Sequence, residues 1–348
     1  MSAAGATPEH ASAGSAAEPP PAARLRIATF NLENLGDSAQ PHATLAERVR
    51  LLKPQLMRLR ADVLCLQEVD SQRGSDGEPR CLDALDALLA ATPYAAFHRL
   101  ATFSRTHGGP RDKHNVVILS RLAIVSGRQI LHDLVQPPVY TLAAGEGTAG
   151  AITWDRPFLH ARLRSAAGWT LDVVNVHLRA PRAAFIPGGK ASATVWRTMS
   201  GWAEGFFLAA VKAAGQALEV RLLVDQLFDA DPEARIVVCG DFNADAHEAP
   251  VRTILGDEED AGNPHLAFRT LVPAERSLAD SRRFSVLHHG RPRMLDHLLL
   301  SRTLLAWYRG IEVHNEALGD EAVTPQALVG TPASFHAPLV AEFLAPAD

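Results

Sequence analysis

The sequence is poor in cysteine, in aromatic residues, in positive charge and in long apolar runs. Its three cysteines, Cys65, Cys81 and Cys239, are spread over 348 residues. They match neither a zinc cage nor a disulfide framework, and two of them sit in apolar runs that read as buried strands, which suits a reducing compartment. No stretch approaches the ~18 consecutive apolar residues of a membrane span. A net charge of −5 and a pI near 6.3 argue against attraction of a polyanion to the whole surface, while leaving room for a local basic rim. Aromatic residues make up 6% of the chain, too few to predict a stacking track for single-stranded nucleic acid.

What is present is a globular composition, 47% hydrophobic and 21% charged with a mean hydropathy of −0.02, enough to bury a sizeable core. Residues 1–24 are mainly Ala, Gly, Ser and Pro, without the basic start and apolar core of a signal peptide, so a disordered tail is expected there. One domain over residues 25–348 and a cytoplasmic location are the corresponding expectations. No tandem repeat or long interdomain linker divides the chain.

From Leu25 onward one design recurs. Apolar runs at Leu25–Leu32, Ala61–Val69, His114–Ser120, Trp169–Leu178, Ala234–Asn243 and Met294–Ser301 each carry polar residues at one end, as strands do when they deliver functional groups to a sheet edge. Helical spacing marks Thr44–Leu59, with Pro54 expected to kink it, and also Leu82–Ala91, Met199–Leu227 and Val251–Leu255. Gly- or Pro-rich stretches at Gly108–Arg111, Pro137–Gly150 and Ala180–Gly189 read as loops over the functional face. Strands and helices without a strict βαβ period predict α/β layers.

Taken singly, the polar strand ends have plain explanations. Glu68 passes for a solvated strand-end acid, His177 for a satisfied histidine, Asp296 for a cap or ion pair and His336 for a loop residue. Asp241 and Asn243 point the same way from an extended backbone after a buried run, which makes a surface turn a poorer account. Taken together and in this order, Asn31, Glu68, His177, Asp241 with Asn243, Asp296 and His336 resemble the endonuclease/exonuclease/phosphatase superfamily, over about Leu25–Leu344.

The resemblance implies a four-layer α/β sandwich, with two mixed sheets face to face, helices outside and the site at one end. It implies Mg²⁺ (or Mn²⁺) held by Glu68 with Asn31 beside it. His177 and Asn243 would contact the phosphoryl oxygens, Asp241 would orient or deprotonate a water, and His336 oriented by Asp296 would be the other acid–base group. Elementary chemistry asks for the same residue types: a phosphate ester repels hydroxide, so a cation and aimed donors are needed. Mg²⁺ prefers oxygen ligands, and a histidine backed by a carboxylate suits proton transfer near neutral pH.

One position departs from the family pattern. The residue before the last histidine is usually aspartate, and here it is Phe335. Glu33, or an acid among Glu316, Asp320 and Glu321, is a candidate to supply the missing carboxylate, and the alternative is a metal held by Glu68 with more waters. Arg105, Arg111, Lys113 and His114, then Arg179, Arg182 and Lys190, then Arg276, Arg282, Arg283, Arg291 and Arg293 fall in three loops that are candidates for a phosphate-capturing rim, against the alternative of scattered solvated charge. The helical spacing of Phe206–Ala214 fits core packing better than a hydrophobic lid. The expected partner is a phosphate-ester substrate, with nucleic acid a candidate. Three readings stand: a phosphodiesterase or nuclease, a phosphatase on a small molecule, and a binding protein that has lost turnover.

Overall fold

In the first long strand Leu25 and Ile27 face one way, Ala28, Phe30 and Leu32 the other, and all five are buried. A strand buried on both faces needs a layer on each side. The computed structural model describes residues 22–36, 43–74, 79–143, 149–320 and 334–347. Sheet one runs β15 (Tyr308–Val313), β16 (Leu339–Pro346), β1 (Ala22–Leu35), β2 (Val63–Val69), β4 (Asn115–Ser120) and β3 (His98–Ala101). Sheet two runs β11 (Leu271–Pro273), β14 (Asp296–Ser301), β10 (Ile236–Asp241), β9 (Thr170–His177), β8 (Phe158–Arg164) and β5 (Ala123–Ile130). Two hairpins, β6 (Val139–Thr141) with β7 (Ala149–Ala151) and β12 (Val286–His288) with β13 (Arg291–Arg293), lie outside the sheets.

Three apolar clusters define the layers. Leu25, Ile27, Val63 and Cys65 meet Val173, Val237, Cys239 and Leu298 between the sheets. The opposite face of sheet one, Phe30, Leu64 and Leu66, packs on Leu52, Leu56 and Leu85 of α1 (Leu45–Leu59) and α2 (Asp83–Leu89). The opposite face of sheet two, Val174, Ile236 and Val238, packs on Val220, Val224 and Val251 of α3 (Met199–Ala230) and α4 (Ala249–Leu255). Short helices α5 (Glu258–Ala261) and α6 (Arg302–Leu305) complete the set. The result is the expected four-layer sandwich.

Among the described residues only β1 with β2 and β9 with β10 pair in parallel within the two sheets, and these pairs form the sheet centres. Their carboxyl ends gather at one end of the sandwich, as the central strands of α/β sheets do at ligand sites. Close approach of β9 and β10 requires Gly240: its φ is +137°, and a Cβ there would lie 2.0 Å from the Val176 carbonyl oxygen.

Several details differ from the sequence expectation. The strand β1 begins at Ala22, pairing with Pro346, three residues ahead of the apolar run that marks it in the sequence; residues 1–21, where a disordered tail is expected, lie outside the described residues. Pro54 lies inside α1 without ending it, and the helix continues to Leu59. Pro137–Gly150 contributes the β6–β7 hairpin instead of an open loop. In Phe206–Ala214, Leu208, Ala209 and Ala213 are buried while Phe206 and Phe207 are 43% and 47% exposed, so core packing accounts for one helix face only. Strands β5, β8, β15 and β16 were not anticipated. Among the described residues no helix is long and apolar enough to cross a membrane.

A buried ion pair pins β14 beneath the site. The Nδ1 of His297 lies 2.5 Å from Glu275 Oε1, and its Nε2 lies 2.8 Å from the Ala244 carbonyl oxygen. Both partners are acceptors, so the ring satisfies them only as imidazolium. Burial opposes that charge, yet Glu275 and the carbonyl outweigh it and the His297 pKa is raised. Stability from a raised histidine is fully present below the unfolded value of ~6.5 and is lost as pH climbs through the folded value. Glu275→Gln is therefore expected to cost about 3 kcal/mol at pH 6, with a smaller gap at pH 9. Urea denaturation at the two pH values checks this, and an equal gap would show the ring to be neutral.

Candidate active site

Among the described residues nine non-glycine residues have positive φ, and five of them, Glu33, Asn34, Glu68, His114 and Asn243, line one cavity of about 600 Å³ at the carboxyl ends of the central strands. Left-handed backbone at bulky residues costs energy and persists where the surroundings enforce it. Here the enforcing contacts are visible. Arg48 of α1 donates from Nη1 and Nη2 to the Glu33 and Leu32 carbonyls, and the Asn34 N–H donates to Glu68 Oε2 at 3.0 Å. Each strand end is thus turned inward by hydrogen bonds, and its side chain is aimed into the cavity.

Asp241 sits at the centre, 1% exposed. Its Oδ1 accepts from the Asn243 N–H at 2.8 Å, and its Oδ2 accepts from Asn31 Nδ2 at 2.9 Å and Asn243 Nδ2 at 3.0 Å. Burial pushes its pKa to about 7 against the pull of His336, with Asp296 adding to the rise. His336 Nδ1 lies 2.8 Å from Asp296 Oδ2, which leaves Nε2 to face the cavity. Burial works against charge on this ring, but Asp296 and Asp241 prevail and raise it to about 10, so it rests as imidazolium. Asp296 is fixed in turn by Ser285, whose Oγ accepts from its N–H at 3.1 Å.

His177 behaves oppositely. Burial first, then Arg156, His114 and His336, hold its pKa well below the usual value, so the ring is neutral. Its Nε2 accepts from Arg156 Nη1 and lies 3.5 Å from Glu68 and 3.4 Å from Asp241. Arg156 was not identified from the sequence. It lies in an irregular stretch between buried Trp154 and β8, and a single loop arginine carries no periodic signal. Its backbone is held by Gln216 Nε2, which donates to its carbonyl at 3.0 Å.

The cavity brings all seven anticipated positions together. Glu68, His177, Asp241, Asn243 and His336 line it, with Asn31 and Asp296 hydrogen-bonded directly behind. Ligating atoms of Glu68, His114 and His177 form one group within 4.8 Å of one another, and those of Asp241, Asp296 and His336 form a second. The carboxylates of Glu68 and Glu33 on the cavity wall, with the Asn31 amide behind them, form an oxygen-rich set of the kind a hard divalent cation takes.

The pattern of the endonuclease/exonuclease/phosphatase family matches residues 28–320, most of the chain. The chain belongs to this family. Family membership and the two-sheet sandwich agree with the solved structures it is similar to. Sphingomyelinase C from Streptomyces griseocarneus is 18% identical with a TM-score of 0.56, and the alignment covers 93% of this chain and 99% of that one. TDP2 from Caenorhabditis elegans is 14% identical with a TM-score of 0.53, covering 92% and 98%. The 3′ phosphatase NExo from Neisseria, bound to a product DNA hairpin, is 18% identical with a TM-score of 0.50, covering 92% and 99%. No curated protein matches the sequence.

Phe335, where the family usually carries aspartate, is buried against the cavity wall, and its N–H donates to Glu33 Oε2 at 2.7 Å. Glu33 thus brings a carboxylate beside the position that lacks one. Glu316 instead pairs with Arg58 and Arg282, Asp320 caps the turn at His289 and Gly290, and Glu321 lies outside the described residues. The three basic loops separate. Arg179, Arg182 and Arg293 reach the cavity, and Arg111 and Lys113 line an adjoining one. Arg105 pairs with Asp133, Lys190 lies over Trp196, and Arg276, Arg282 and Arg283 line other depressions.

Asp296→Asn is expected to bring the His336 pKa down from about 10 toward the ordinary ~6.5, because it removes the nearer of two flanking charges. Histidine-ring NMR on the metal-free protein measures it. An unchanged value would assign the elevation to Asp241 alone.

Proposed function

We propose that the protein is a Mg²⁺- or Mn²⁺-dependent phosphodiesterase of nuclease type, which hydrolyses a phosphate ester by attack of water. The observation that carries this reading is the convergence in one cavity of Glu68, Arg156, Asp241, Asn243 and a His336 imidazolium flanked by two carboxylates. Such a set offers a cation-binding edge, donors for phosphoryl oxygens and paired proton-transfer groups.

Glu68 with Asn31 and Glu33 would hold the divalent cation, which supplies neutralisation of phosphate charge when bound. Arg156 and the Asn243 amide are donors for the non-bridging oxygens. His177, neutral and hydrogen-bonded to Arg156, holds that guanidinium in place. Asp241, an acceptor fixed by three donors, orients the attacking water and takes its proton. His336, steadied by Asp296, gives a proton to the departing oxygen. Arg179 and Arg182 at the mouth favour a substrate bearing groups on both sides of the phosphate, which supports a diester over a small monoester.

The test is turnover of plasmid DNA, single-stranded RNA, bis(p-nitrophenyl) phosphate and p-nitrophenyl phosphate with Mg²⁺ or Mn²⁺. Diester cleavage is expected to need the metal and to fall by about 100-fold or more in Glu68→Gln. Cleavage of the monoester alone would replace this reading with a phosphatase, and no turnover with any substrate would favour a binding role. Metal affinity gives a separate readout of Glu33. Mn²⁺ titration followed by electron paramagnetic resonance is expected to show weaker binding in Glu33→Gln by about tenfold and recovery in Glu33→Gln with Phe335→Asp. Unaltered binding in Glu33→Gln would remove Glu33 from the ligand set.

A further inference from the structure

One face of α3 is not explained by core packing. Lys212, Gly215, Gln216 and Glu219 fall at i, i+3, i+4 and i+7 of this helix, one above the other, where an apolar stripe would be expected. All four meet the short run Trp154, Asp155 and Arg156. Lys212 Nζ lies 2.9 Å from Asp155 Oδ1. Gly215 faces the Trp154 indole so closely that a Cβ would stand 2.5 Å from the ring. Gln216 donates to the Arg156 carbonyl at 3.0 Å and accepts from the Arg179 N–H at 2.8 Å, so it touches the backbone of two cavity arginines.

Glu219 is the member hardest to place by burial alone. It is fully buried, and its carboxylate is matched by three N–H donors. Oε1 accepts from the Leu134 N–H at 2.9 Å, and Oε2 accepts from the His132 N–H at 3.2 Å and the Trp154 indole Nε1–H at 3.0 Å. Taking a carboxylate out of water is costly, and these donors offset the cost while tying down what they belong to. His132 is itself held at a φ of +60°. Its ring lies 3.9 Å from the Trp154 ring, and its Nε2 accepts from the Trp154 N–H at 3.3 Å. Both the indole and the backbone of Trp154 are thereby fixed two residues ahead of Arg156.

We propose that Glu219 is a positioning residue for Arg156: it anchors Trp154 against Gly215, and this anchor, together with Gln216, sets the segment that carries the Arg156 guanidinium into the catalytic cavity. Residues 153–157 form neither strand nor helix, so side chains of α3 supply the restraint that a hydrogen-bonded ladder supplies elsewhere. Arg156 so placed donates from Nη1 to the Leu178 carbonyl at 3.3 Å beside its contact with His177. The effect on turnover rests on the phosphodiesterase reading, whereas the placement of Arg156 does not. A donor displaced by about 1 Å from a reacting group costs on the order of 100-fold in rate.

Crystal structures of the wild type, Glu219→Gln and Gly215→Ala give a readout that needs no activity. The wild type is expected to keep Arg156 Nη1 on His177 Nε2. In the isosteric Glu219→Gln the new amide nitrogen meets an N–H donor, and the Arg156 guanidinium is expected to shift by about 1 Å or more. Gly215→Ala keeps every polar group and favours the helix, so it remains informative if Glu219→Gln does not fold; its methyl is expected to displace Trp154 and Arg156 alike. Kinetics then separate positioning from general loss of structure. With Mg²⁺ or Mn²⁺, kcat for bis(p-nitrophenyl) phosphate is expected to fall by about tenfold or more in Glu219→Gln, and to be unchanged by the same substitution in an Arg156→Ala background. Arg156 unmoved in both variants, or an equal loss of kcat with and without Arg156, overturns the positioning role. Absence of turnover in the wild type overturns the phosphodiesterase reading and leaves the crystallographic comparison to decide the role of Glu219.

Discussion

A single hydrogen bond between the two sheets, from Asn31 Nδ2 to Asp241 Oδ2 at 2.9 Å, is the point on which the site depends. Asn31 ends a strand of sheet one and Asp241 a strand of sheet two, so the bond fixes how the sheet ends face each other. It also makes a carboxylate tolerable where almost no water reaches, since a buried acceptor left unmatched costs roughly 1–3 kcal/mol. Just below, the apolar inter-sheet core gives way to a second polar bridge. Gln67 donates to Asn175 at 2.7 Å, and Asn175 donates back across the gap to the Leu66 and Val117 carbonyls. Packing of Leu and Val sets the distance between the sheets, while these amides set their register at the functional end.

The same constraint explains the charge arrangement. Asp241 and Asp296 are buried within reach of His336, and Glu68 and Asp241 within reach of His177, yet the two histidines respond in opposite senses. His336 is hydrogen-bonded to a carboxylate, so proton binding is favoured. His177 faces the Arg156 guanidinium, so a second positive charge is opposed. Two identical side chains about one carboxylate thereby acquire different roles from their neighbours alone, and the pair supplies a donor and an acceptor near neutral pH without any difference in residue type.

The legible part of this design was the part carried by local pattern. Apolar runs with polar ends located β1, β2, β4, β9, β10 and β14 to within a few residues, because burial on both faces leaves a near-continuous hydrophobic signature. The residues at those ends followed. Hidden parts depend on partners far away in the chain. Arg156 gains meaning only from His177, Glu275 only from His297, and Gln216 only by holding Arg156 from a helix that reads as ordinary core. The edge strands β5 and β15 were missed for another reason: β5 is largely exposed and broken by Gly127, so neither strict alternation nor a continuous apolar run marks it. The basic loops were equally ambiguous, since similar arginines end in a cavity, as Arg111 does, or in a surface ion pair, as Arg105 does.

Phe335 shows how a departure from a family pattern is absorbed. Losing an aspartate at a site that binds a cation would be expected to lower the count of oxygen ligands. Here the backbone of position 335 keeps its place through Ser334, whose Oγ donates to the Asn31 carbonyl at 2.8 Å and accepts from the His336 N–H at 3.0 Å. The Phe335 N–H then fixes the carboxylate of Glu33 from the opposite strand. The aromatic ring lines the cavity wall, and the carboxyl group beside it comes from β1 instead of from the final loop. A carboxylate from β1 therefore stands beside position 335, which a residue-by-residue comparison of motifs registers only as a loss.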